Sequence, residues 1–171
     1  MRDTRKPIGK YMGTYTARGK GGEIGGQGFA IPQRIQLFDG EFDTAYVVRE
    51  FYVWGDSFGS SSSPDVIGKL AKTNKATTGV NNFMDATDTR EIAWAASAGA
   101  IDAGLGFGAN QGIVDPENIV IEDLWFYGRH ANSAASVNYM VVMDKYKISD
   151  AHGAVVMAKD KSSESETAWQ A

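Results

Sequence analysis

The residues with the most chemical potential stand in three groups. Gly55-Asp56-Ser57-Phe58 sets a serine in a glycine-led turn directly after an apolar run. A serine there acts as a nucleophile only if a histidine and an orienting carboxylate reach it, and Asp150-Ala151-His152 holds both types. The second group is acidic, with Asp85, Asp88 and Glu91 in one polar stretch and Asp115 and Glu117 in another. Loop carboxylates of this kind can take up calcium, although no EF-hand spacing is present, and a solvated acidic loop is the simpler reading. The third group is basic. Arg2, Arg5, Lys6, Lys10, Arg18 and Lys20 fall in the first 20 residues beside one acid, Asp3, so residues 21–171 hold 11 of the 17 basic and 20 of the 21 acidic side chains. A +5 arm thus precedes a −9 body, and the net charge of −4 hides both. Tyr11 and Tyr15 interleave with the cations, which suits an arm that either stacks on nucleic-acid bases or lies on a neighbouring surface. The opposite charge of the body favours the neighbour.

The serine block resembles the opening motif of the GDSL/SGNH hydrolases. Gly108-Ala109-Asn110 is similar to that family's Gly-x-Asn oxyanion block, and Asp150-Ala151-His152 to its Asp-x-x-His block. The resemblance implies an esterase with Ser57 as nucleophile, built on a parallel sheet with crossover helices. Here, however, the aspartate and histidine are two residues apart rather than three, which turns the histidine to another face. No amphipathic helix stands between Ser57 and Val137. Asp-Ser-Phe-Gly followed by four serines reads more simply as a surface loop, so the expectation is a protein that is not an enzyme. Gly13 to Lys20 has the wrong length for a phosphate-binding loop and is followed by Gly21 where serine or threonine would hold magnesium. The Gly104–Gly108 run lacks the third glycine of a dinucleotide fingerprint. Without cysteine there is neither disulfide nor thiolate zinc, and His130 and His152 read as ordinary surface or hydrogen-bonded histidines. No metal and no cofactor are expected. No stretch reaches the roughly 18 apolar residues of a membrane span.

The elements that must position these groups read mainly as strands. Many glycines, few leucines and abundant aromatic and β-branched residues argue against a helical bundle. Gln33–Leu37 alternates, Asp39-Gly40 signals a turn, and Ala45–Trp54 is dense in strand formers, so a hairpin is expected there. In that second strand Val47, Phe51 and Val53 would share one face with Arg49, and Tyr46, Val48, Tyr52 and Trp54 the other with Glu50. Further strands are expected over 66–73, 90–97, 119–127 with a bulge at Glu122-Asp123, and 137–148. Residues 98–117 read as a long loop, and 149–159 as a short helix capped by Ser149 or Asp150. The sum is a mainly β, antiparallel β-sandwich, of jelly-roll kind because its connections are long. Its parts are a basic, glycine-rich arm over 1–28, the sandwich over 29–160 and a loose tail over 161–171.

In outline such a chain is similar to the small jelly-roll capsid, penton and decoration proteins of icosahedral viruses and phages. That resemblance implies a structural protein of the virion that forms homo-oligomers, meets other virion proteins, and uses its arm on neighbouring subunits or on the genome. A rival expectation is a monomeric carbohydrate-binding sandwich using loop aromatics such as Trp94, Trp125 or Tyr127.

Overall fold

Stretches rich in β-branched and aromatic residues pair into two antiparallel sheets that bury a common face. The computed structural model describes residues 8–21, 32–55, 66–74, 85–97, 110–130 and 136–167. Its strands are β1 (Lys10–Gly21), β2 (Gln33–Ile35), β3 (Thr44–Gly55), β4 (Val66–Ala71), β5 (Glu91–Ser97), β6 (Asn110–Val114), β7 (Leu124–His130) and β8 (Val137–Lys147). One helix, α1 (Asp150–Thr167), follows them. The smaller sheet has the order β1-β8-β3 and the larger β2-β7-β4-β5-β6. Every ladder is antiparallel. The expected antiparallel sandwich is therefore present.

The core lies between the sheets. Val48, Phe51 and Val53 of β3 and Val137, Tyr139, Val141 and Met143 of β8 meet Val66, Leu70, Ile92, Ala93, Ala95, Leu124 and Phe126 of the facing sheet. Phe126 joins the layers, its ring 6.1 Å from Phe51 and 4.3 Å from Tyr139. Burying each large side chain here contributes about 1.5–3 kcal/mol.

Several sequence expectations are corrected. Gln33–Leu37 and Ala45–Trp54 do not form a hairpin, because β2 ladders on β7 and β3 on β8, in different sheets. The turn signal at Asp39-Gly40 carries the chain across the sandwich instead. The faces of β3 also change phase. Val48 pairs with Met143 and Glu50 with Val142, leaving Arg49 as an extra residue. This bulge lets Tyr46 and Val48 share the core with Phe51 and Val53, while Tyr52 and Trp54 turn outward. Asn118 completes the bulge: its Oδ1 accepts from the Val48 N–H (2.7 Å) and its Nδ2 donates to the Val48 carbonyl (3.1 Å).

Residues 119–127 are not one bulged strand. Val120 bridges to Tyr46 of β3, and the chain then crosses to start β7 in the other sheet. Residues 98–117 are not all loop, since β6 falls among them. The helix outruns expectation and enters the stretch read as a loose tail. It is capped as expected, with the Ser149 Oγ accepting from the His152 N–H (3.3 Å). Its Val156 and Met157, with Ile8, pack on Ala45, Ile121 and Ile148 at one end of the sandwich.

Asp123 fixes the crossing into β7. Its carboxylate accepts from the Leu37 (2.8 Å) and Phe38 (3.1 Å) N–H groups and from the Arg34 guanidinium (2.6 Å from Nε). Burial alone would raise the pKa of this acid, but the two N–H groups and Arg34 outweigh it and hold the carboxyl below its usual range. A depressed folded-state pKa adds stability above the ordinary carboxylate pKa, and that stability is lost as pH falls through the folded value. Asp123→Asn should therefore cost about 1.5–3 kcal/mol at neutral pH. Urea denaturation should show the gap from the unsubstituted protein closing below about pH 4; a gap that persists unchanged there would contradict this role.

Candidate functional site

The segment expected to be an extended arm contains an integral strand. Lys10, Tyr11, Tyr15, Arg18 and Lys20 all lie in β1, laddered on β8 from Lys10↔Lys147 to Gly21↔Val137. Arg2, Arg5 and Lys6 lie outside the described residues. The physical reason is in the small residues. Ala17, Gly19 and Gly21 stand opposite the core residues Val141, Tyr139 and Val137. A Cβ on Gly19 would come within 2.5 Å of the Tyr139 hydroxyl. The face of β1 that meets the core must therefore be nearly bare.

β1 also ends its sheet, and among the described residues no strand ladders onto its other edge. Long edge strands are templates for pairing with another chain, and lysines are a usual means of restraining them. Tyr11, Met12 and Tyr15 are about half exposed, and they make up three of the six large apolar side chains that stand exposed among the described residues. Met12 is the extra residue of a second bulge, since Tyr11 pairs with Tyr146 and Gly13 with Lys145.

The outer face of this sheet is ordered by polar ties. Asp144 accepts from Thr14 Oγ1 (3.0 Å) and from Arg49 Nε (2.7 Å), and the Arg49 fork also reaches the Tyr146 hydroxyl (3.0 Å). The Asp144 and Tyr146 partners raise the Arg49 pKa further above its high ordinary value. Nearer the other end the Tyr52 hydroxyl donates to Glu50 (2.7 Å), which raises the pKa of the phenol. Tyr52 and Trp54 are half-buried beside Met140 and Asn138.

The larger sheet hides a charged pair on its outer face. Lys69 Nζ lies 2.6 Å from Glu91 Oε1, and both side chains are fully buried. The other carboxylate oxygen accepts from the Asp85 N–H (3.0 Å) and the Trp94 indole N–H (2.9 Å). Lys69 also stands 5.4 Å from the Tyr127 ring centroid. A bulge makes this possible. Leu70 pairs with Ala93 and Ala71 with Glu91, so Ile92 is the extra residue and Glu91 swings to the side of Trp94 and Lys69. With its carboxylate so engaged, the arrangement is that of a structural ion pair.

The other chemically tempting residues are dispersed. Glu91 belongs to the buried pair, Asp88 pairs with Arg90 (2.8 Å), Asp85 turns back on Thr87, and Asp115 accepts from the Glu117 N–H. Among the described residues no group of three or more histidine or acidic side chains could hold a metal ion. Asp150 and His152 occupy the first turn of α1, while His130 is buried at the end of β7. Ser57 lies outside the described residues. The strand before it belongs to an antiparallel sheet, not the parallel one that the hydrolase resemblance implies. Trp94, Trp125 and Tyr127 are not loop aromatics, since all three belong to strands of the larger sheet, with Tyr127 buried.

Sequence reasoning missed the Lys69–Glu91 pair, because nothing in a lone lysine and a lone glutamate 22 residues apart announces that two strands will bury them together. No helix among the described residues is long and apolar enough to cross a membrane. Comparison with known proteins finds no matching family model, no matching curated protein and no matching solved structure.

Proposed function

We propose that this chain is a structural subunit of a virus particle, one that self-assembles into the shell or decorates it, and that its fold is a jelly roll. The observation that carries the reading is the strand order. A jelly roll is a long antiparallel ribbon, pairing strand 1 with 8, 2 with 7, 3 with 6 and 4 with 5, wound into two facing sheets. Here β1 ladders on β8, β2 on β7 and β4 on β5. The remaining pair is close without a ladder: a Cβ on Gly112 of β6 would strike the Phe51 carbonyl of β3. β6 hydrogen-bonds to β5 instead. Fold alone does not assign function, and the edge of β1 supplies the second support. It offers a neighbour 12 residues of backbone with Tyr11 and Met12 exposed beside them. The cations that precede and punctuate this strand suit a neighbour whose body is acidic.

The mechanism is mechanical: the sandwich gives rigidity, the β1 edge and the loops set the contacts, and no bond is made or broken. Sedimentation velocity tests it directly. The unsubstituted chain should sediment as oligomers whose population grows with concentration, and Tyr11→Lys with Met12→Lys should return it to monomers with an unchanged unfolding midpoint. Oligomers that survive both substitutions would place the contact elsewhere and overturn the role given to β1.

A further inference from the structure

Little of β1 belongs to the core that it covers. Its inward positions are Ala17, Gly19 and Gly21, opposite Val141, Tyr139 and Val137 of β8. Rings from other strands shape this seat: a Cβ on Gly19 would meet the Tyr139 hydroxyl, and one on Gly21 would lie 3.3 Å from Phe126 Cδ1. What β1 supplies is a backbone ladder on β8 and two outward ties to the same strand. Thr14 Oγ1 donates to Asp144 (3.0 Å), and the Tyr11 ring meets Tyr146 edge-on at 5.8 Å. An equal seat stands on every copy of the chain, and it fits another copy's β1 as well as its own.

The connection from β1 to β2 is longer than its gap. A Cβ on Gly21 would lie 3.5 Å from Gln33 Cβ, yet the whole of residues 22–32 runs between them. Fully extended, that connection reaches about 36–40 Å. The reach matches β1 itself, 12 residues at about 3.4 Å each, so a strand that must also reverse its direction is still covered. In an edge-to-edge contact the neighbour's β8 lies only two strand spacings away, about 9.6 Å.

We propose that β1 is an exchangeable strand: where two copies meet at their β1 edges, each lays its β1 against the β8 of the other. This rests on the reading of β1 as the assembly edge, and it says what that contact becomes. Seat and ladder are the same in the closed and the exchanged forms, so the contacts themselves do not choose between them. Concentration does. A strand on a connection of this length meets its own seat at an effective concentration of about a millimolar. Separate chains well below that level stay closed, whereas copies held edge to edge offer a second β1 at a similar level. Exchange turns an edge contact into one that parts only when two strands leave their seats. On dilution each strand returns to its own body.

The chain holds no cysteine, so a pair of introduced ones reads the exchange. Thr16, exposed on β1, stands opposite the half-buried Val142 of β8. Residues so paired have Cα atoms about 4.5–5.5 Å apart, within the span of a disulfide. Thr16→Cys with Val142→Cys is to be oxidised over a range of concentration, then compared by sedimentation velocity and by denaturing gel without reductant. Most chains of the assembled fraction should run as disulfide-linked dimers, and dilute chains as monomers bonded within themselves. Adding Tyr11→Lys and Met12→Lys should leave the monomers alone. Oligomers whose chains all run as internally bonded monomers would overturn exchange while leaving the β1 edge as the contact. Absence of oligomers at every concentration would remove the edge reading and exchange with it. As much linked dimer from Thr16→Cys alone would mean that the bond joins two edges, which overturns exchange as well. Arg18→Cys with Met140→Cys, the next outward pair, gives the same readout if the first pair does not fold.

Discussion

Replacing Glu91 by leucine should unfold this protein more readily than any exposed substitution, by about 3–5 kcal/mol. Three donors converge on the one carboxylate: Lys69 Nζ on Oε1, and the Asp85 and Trp94 N–H groups on Oε2. Leucine removes the acceptor from all three while they stay enclosed, and a buried donor left without its acceptor costs about 1–3 kcal/mol. For a domain of this size the loss amounts to a fall in Tm of roughly 6–20 °C. Lys69→Met should cost less, because Glu91 keeps two N–H donors. The double replacement, Lys69→Met with Glu91→Leu, should be more stable than Glu91→Leu alone, since no lysine charge then faces an apolar side chain. Urea denaturation of the three variants gives the order, and a Glu91→Leu loss under about 1 kcal/mol would show that the pair is hydrated in solution.

The second large effect belongs to the centre of the sandwich. Gly68 of β4 stands opposite Gly128 of β7, and both point into the core. A Cβ on Gly68 would lie 2.6 Å from Val53 Cγ1 and 2.9 Å from Phe126 Cε2; one on Gly128 would lie 2.8 Å from Phe126 Cζ. The two glycines form the hollow that seats the Phe126 ring against Phe51 and Tyr139. Gly68→Val should therefore drive the sheets apart at about 3 kcal/mol or more, the upper end for overpacking. Gly13 and Gly40 have nothing within reach of an added Cβ, although their positive φ values of 140° and 96° strain any substitution there. Gly68→Val with Phe126→Leu, which shortens the obstructing ring, should regain part of the loss. A Gly68→Val protein as stable as the parent would mean that the sheets stand further apart than the packing of Phe126 implies.

The strands that were legible in the sequence are those whose side chains themselves fill the core. β3, β4, β5 and β8 carry β-branched and aromatic runs, and their positions agree with the expectation to within a residue or two. β1 was not legible, because its core face is written as Ala17, Gly19 and Gly21, and the rings of Tyr139 and Phe126 occupy the space that larger residues would need. β6 was hidden in the same way, by Gly112 beneath the Phe51 carbonyl. The phase of β3 turned on a bulge at Arg49, which a period of two cannot register. Pairing was illegible for a further reason. Asp39-Gly40 looks like a hairpin turn, but the partners of β2 and β3 come from residues about 90 positions later in the chain, and local pattern holds no record of that.

Three of the basic residues near the start of the chain belong to a strand rather than to an extended arm. Lys10, Arg18 and Lys20 are carried on a strand of the body, so their register is fixed against β8. A cut that removes them would remove a structural strand as well, and substitution is the cleaner instrument.

Light scattering and negative-stain microscopy on the unsubstituted protein, across a range of concentration and salt, decide whether this chain assembles. Discrete oligomers or closed particles that dissociate on dilution are expected of a shell subunit. A plain monomer at every concentration and salt would contradict that role.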